Sequence, residues 1–137
     1  MARTGLQSLG DFSITTAASY VGDWVTGFEC ILGLTAQFRF VYGSGGTSAK
    51  AYLQTTLDDD EDVPIDIACV VFGTASEVAV INLSGLTPKT TQVNPSDGAL
   101  ADDTAIDGVL GDRFRVKIVT SGTYAGSTVC SIRVNPR

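Results

Sequence analysis

The stretch Thr35-Ala36-Gln37-Phe38-Arg39-Phe40-Val41-Tyr42, followed by Gly43-Ser44-Gly45-Gly46-Thr47-Ser48 and then Ala49-Lys50-Ala51-Tyr52-Leu53-Gln54-Thr55-Thr56-Leu57, decides the fold. Ala36, Phe38, Phe40 and Tyr42 fall on one side of an alternating run, and Gln37, Arg39 and Val41 on the other. In the second run Ala49, Ala51, Leu53, Thr55 and Leu57 alternate with Lys50, Tyr52, Gln54 and Thr56. Side chains two apart on a strand share a face, so both runs predict strands laid over a core. The glycine-rich connector tolerates positive φ and predicts a hairpin with a long loop.

Upstream, Phe12, Ile14 and Thr16 mark a short strand within residues 11–20, and residues 25–34 read as a strand bent at Gly27 and Gly33. Residues 1–10 are weakly patterned and are expected to form an N-terminal arm. Downstream, Ile65, Ile67, Cys69 and Val71 oppose Asp66, Ala68, Val70 and Phe72. Both faces turn apolar, so this strand is covered on both sides by its own chain or on one side by a neighbouring subunit. Further alternation occupies residues 78–83, 113–120 and 127–134, whereas residues 85–111 spell turns and a long loop. Some seven or eight strands with no helical period predict an all-β chain. The expected architecture is an antiparallel β-sandwich or jelly roll, one domain over residues 11–137 behind an arm of residues 1–10.

A chain of 137 residues with 44% hydrophobic and 18% charged residues has enough apolar surface for one core. The net charge is −6, and ten of fifteen acids lie in residues 58–62 and 97–112. That field repels phosphates and anionic lipid, so neither nucleic acid nor membrane is expected as partner. No run is long and apolar enough for a bilayer, and the first residues lack the apolar core of a signal peptide. Arg113, Arg115 and Lys117 alternate with Phe114, Val116 and Ile118, which predicts a solvated outer face of a strand, with an acidic partner protein as the other reading. Cys30, Cys69 and Cys130 are odd in number and far apart, and are expected as buried reduced thiols.

With no histidine, zinc patterns and the Ser-His-Asp and Cys-His devices fall away, and no catalytic residue is expected. Asp58, Asp60 and Asp62 have the alternate spacing that opens a calcium loop. Val63 stands where the loop needs glycine and Cys69 where it needs glutamate, so a solvated turn is the stronger reading and no metal is assigned. Asp102, Asp103 and Asp107 form a second acidic group, whose sequence spacing says nothing of spatial separation. Trp24 reads as partly buried core or, alternatively, as a platform for a sugar ring.

Residues 39–135 carry a series of motifs: Tyr42-Gly43-Ser44-Gly45-Gly46-Thr47, Ala49-Lys50-Ala51-Tyr52-Leu53-Gln54-Thr55, Ile65-Asp66-Ile67-Ala68-Cys69, Asn82-Leu83-Ser84 and Leu86-Thr87-Pro88. It continues through Asp97-Gly98, Leu100-Ala101-Asp102, Asp107-Gly108, Leu110-Gly111-Asp112-Arg113, Arg115-Val116-Lys117 and Thr123-Tyr124-Ala125-Gly126-Ser127-Thr128. This series resembles a family of small structural proteins of tailed phages and prophages. The family reads Asp-Gly-Gly and a tryptophan where this chain has residues 58–63, so the resemblance implies no role for that loop. The resemblance implies a virion component, assembled in the bacterial host cytoplasm, without catalytic residues or cofactor. A capsid decoration or cement protein that bridges major capsid protein subunits in many symmetric copies is the leading expectation. A neck or tail subunit and a carbohydrate-binding module are the alternatives. Leu6 and Leu9 in the arm, with Pro88, Val93, Pro95, Leu100 and Ile106 in the long loop, are the contact candidates.

Overall fold

Alternating side chains make a stable strand only where one face is covered, and here two sheets cover each other. The computed structural model describes residues 5–137. Its strands are β1 (Gln7–Ser13), β2 (Ser19–Val21), β3 (Gly33–Val41), β4 (Ser44–Gly45), β5 (Ser48–Thr55), β6 (Ile65–Phe72), β7 (Glu77–Ser84), β8 (Thr104–Ala105), β9 (Phe114–Ser121), β10 (Tyr124–Ala125) and β11 (Val129–Pro136). One sheet runs β1-β11-β3-β7 and the other β2-β9-β5-β6-β8, with all pairings antiparallel. The chain is therefore an all-β antiparallel sandwich, with seven long strands and four short ones among the described residues.

Leu34, Ala36, Phe38 and Phe40 of β3 point into the core while Gln37, Arg39 and Val41 point out, as the alternation requires. Phe114, Val116 and Ile118 of β9 and Cys130, Ile132 and Val134 of β11 line the same interior. Phe40 stacks on Phe72 of the opposite sheet at 4.9 Å, and Tyr124 meets Phe40 edge-on at 5.7 Å.

The expected hairpin is corrected: β3 and β5 lie in different sheets, so residues 42–47 form an arch between layers. A second arch, between β9 and β11, crosses the first, and the two are joined by the β4–β10 pairing of Gly45 with Tyr124 and Ser44 with Ala125. Period-two patterning fixes faces but not partners, and a six-residue connector is long enough to change layers. Gly45 takes φ +69°, and a Cβ at Gly43 would run into the Gly126 carbonyl, so the crossing needs glycine.

Three further expectations change. The first strand starts at Gln7 with Leu9 in the core, so residues 7–10 belong to the sandwich and not to an arm; residues 1–4 lie outside the described residues. Residues 26–32 are irregular, with only Val25 bridged, to Phe114. Leu57 lies beyond the end of β5 and is exposed rather than facing the core.

Candidate functional site: an apolar pole and a tethered loop

Four leucines are among the exposed large apolar side chains: Leu6 at 70%, Leu32 at 58%, Leu57 at 74% and Leu86 at 68%. Strand connectivity brings them to one end of the sandwich. Leu32 precedes β3 and donates its N–H to the Arg137 carbonyl at 2.6 Å, beside the end of β11. Leu32 in turn accepts from Gly85 N–H at 2.8 Å, so Leu86 is adjacent. Gln7 pairs with Val134 near the same end of β11, which places Leu6 there too. Leu57 and Ile31 line one cleft of about 440 Å³ with Phe28, Leu110 and Arg113. The opposite end is different in kind: residues 15–18, 43–47, 74–76 and 121–127 are glycine, serine, threonine and alanine, apart from Tyr124, which is buried.

Acids rim the apolar pole. Asp58, Asp59 and Asp112 line the cleft, and Arg113 is held by Glu61 at 2.8 Å and Asp112 at 2.8 Å. Those carboxylates push the Arg113 guanidinium further above its ordinary value, the Asp112 hydrogen bond first, and Arg113 in turn lowers the Asp112 carboxyl. Asp58 accepts from the N–H groups of Asp60 and Asp62, closing its own turn. Among the described residues no group of three or more acids, cysteines or histidines converges as a metal site, so Asp58, Asp60 and Asp62 are not brought together as ligands.

In the long loop, residues 85–111, residues 96–100 are tied against Asp66 and Lys117 of the second sheet, residues 104–105 add β8 to its edge, and Asp107 and Gly108 bond to Ser84 of β7. The loop's anchor is Asp66, almost fully buried on β6. The carboxylate accepts from the Ser96 hydroxyl at 2.7 Å, from the N–H groups of Gly98, Ala99 and Leu100, and from Gln54 Nε2 at 2.8 Å. A buried carboxylate is tolerable only with such a set of donors. Gln54 also donates to Asp97, which takes Lys117 at 3.2 Å, while Gln54 Oε1 accepts from Arg115 Nε. The Gln54 donor, then Lys117 and Arg115, hold the Asp97 carboxyl below its usual range. Asp103 accepts from Val71 N–H, Asp107 from Ser84 N–H, and Lys50 pairs with Asp102 at 2.8 Å. The loop itself answers the question left by β6, whose second face is covered by its own chain.

Arg113, Arg115 and Lys117 are mostly covered and ion-paired, correcting the expected solvated face. The Arg115 guanidinium lies 4.6 Å over the Trp24 ring, so one stacking face of that tryptophan is taken. Among the contact candidates, Leu9 is in the core and unavailable. Leu6, Pro88 and Pro95 are exposed, and Val93, Leu100 and Ile106 half-buried. Pro88, Val93 and Ile106 line one hollow of about 430 Å³ on the loop. Leu32, Leu57, Leu86 and Asp66 were missed as site residues. A lone acid inside Ile65-Asp66-Ile67-Ala68 was the signal for the last, because such an acid must recruit donors. Cys69 and Cys130 are buried free thiols as expected, whereas Cys30 is exposed.

No protein-family model matches the chain, and no curated protein matches its sequence.

Proposed function

We propose that this chain is a virion structural protein of a tailed phage or prophage, a decoration or cement protein that docks on the outer capsid shell. The observation that carries the reading is the one-ended surface: four exposed leucines within an acidic rim at one pole, and small polar loops at the other. A monomer that exposes clustered apolar side chains at one end is built to cover them. A standard interface takes about 800 Å² per partner, roughly one-eighth of the 6791 Å² surface of this chain. Covering the four leucines supplies on the order of 5 kcal/mol. Association costs are of the same order, so each contact is weak and repetition on a symmetric lattice supplies the avidity. The acidic rim suits a basic collar on the major capsid protein, and the tethered loop with Pro88, Val93, Pro95, Leu100 and Ile106 forms a second contact surface.

Co-sedimentation with stripped capsids of the encoding phage tests this. Wild type is expected to pellet with the shell at roughly hundreds of copies per particle, as closed shell symmetry dictates. The triple variant Leu32→Asp, Leu57→Asp, Leu86→Asp is expected to keep its circular dichroism and melting temperature but remain in the supernatant. Wild type that fails to pellet, or a triple variant that pellets equally, overturns the reading. About a dozen copies at one vertex would move the protein to the neck.

A further inference from the structure

We infer that the free edge of β7 is an acceptor for an extended segment of a partner protein, added as a fifth strand to the four-stranded sheet. This site is separate from the leucine pole and independent of the capsid reading. The backbone directions follow from three hydrogen bonds. Ser84 donates its N–H to Asp107, accepts from Gly108 N–H, and so faces away from β3; Gly85 N–H reaches Leu32 on the other side. The β3–β7 register runs unbroken from Gly33–Ser84 to Phe40–Glu77, so alternation carries the same outward direction to Asn82, Val80 and Val78. Their N–H and C=O groups have no backbone or side-chain partner among the described residues.

Edge strands are ordinarily blunted, and the other three edges here are. The β1 edge has a bulge between Ser8 and Gly10 and carries Asp11, β2 is three residues long, and β8 is two. The β7 edge has eight residues, no proline, no bulge and a single charge, Glu77, at its start. Val78 and Val80 are exposed at 55% and 63%. Beside this edge lies a groove of about 210 Å³ walled by Ala79 and Ile81 of β7, Val70 of β6, and Thr104 and Ala105 of β8. Five strands face four, and the groove is the lane opposite β8 that a fifth strand would fill.

The lane selects its occupant. A whole second sandwich pairing through β7 would bring its own second sheet into the place β8 holds, whereas one extended segment needs only the lane. Side chains entering the groove meet alanine, isoleucine and threonine, so small apolar residues at alternate positions fit. Glu77 at the start of β7 and Asp103, next to β8 and bonded to Val71 N–H, set negative charge at the same end of the lane. A lysine or arginine at that end of the segment completes the match.

The test is an amide titration of the isotope-labelled full chain with a capped seven-residue peptide alternating valine and threonine between terminal lysines. Saturable shifts and slowed exchange are expected at Val78, Val80 and Asn82. N-methylating the peptide amides that face β7 is expected to weaken binding about tenfold. Val80→Pro removes only an outward N–H and leaves the β3 ladder intact, so it is expected to weaken binding similarly. Ala105→Arg, which fills the lane without touching the ladder, guards against a folding artefact and is expected to abolish the response. The inference is overturned by no response at those three amides, by equal binding of the N-methylated peptide, or by a free protein that is already a dimer with those amides protected.

Discussion

Asp66 is the residue on which the long loop closes. Its carboxylate holds Ser96, Gly98, Ala99 and Leu100, and Asp66→Ala leaves those donors facing an apolar void. A loss of about 3 kcal/mol is expected, read as a lowered urea midpoint, with Asp66→Asn costing less because an amide oxygen still accepts. The cysteines give a second check at this scale. Burial pushes the Cys130 thiol up to about 12, and Cys69 is raised by burial too, whereas Cys30 stands in the open. A thiol reagent is therefore expected to modify one cysteine at once and the other two only on unfolding. Three equivalents reacting quickly in native buffer would contradict the burial.

The arches belong to the scale of elements. Gly43→Ala drives a methyl into the Gly126 carbonyl and is expected to cost about 2–3 kcal/mol in a thermal melt. Gly73→Ala, with open space around its Cβ, is the matched control and is expected to be near neutral. These arches also mark the limit of what the sequence made legible. Strand positions and buried faces were readable at β3, β9 and β11 because alternation there is clean. The layer to which β5 belongs was not, since nothing local distinguishes an arch from a hairpin. The start of β1 was hidden by Gly10, which sits at a bulge and breaks the alternation. The loop over residues 85–111 was legible as a loop, but its tethers depend on Asp66, Asp103 and Asp107 meeting backbone that is distant in sequence. Of the leucine pole only Leu6 was legible, for a related reason: the other three come from three separate connections and share no period.

For the whole molecule, charge sets the response to acid. Asp11, Asp97 and Asp112 are each held below the ordinary 3.8 by hydrogen bonds and ion pairs: Asp11 by Ser131 and Arg133, Asp97 by Gln54 and Lys117, and Asp112 by Arg113. Their contribution is complete above 3.8 and is lost as the pH falls through the lowered folded values. The melting temperature is therefore expected to hold down to about pH 4 and fall below it. A melting temperature that keeps rising to pH 2 would contradict those pairings. The central claim, a protein that works by presenting one apolar end to a shell, is tested most directly by a reconstruction of the intact particle at side-chain detail. The account predicts capsid density packed against Leu6, Leu32, Leu57 and Leu86, with the glycine- and threonine-rich end in solvent. A bound chain with those leucines facing solvent would contradict it.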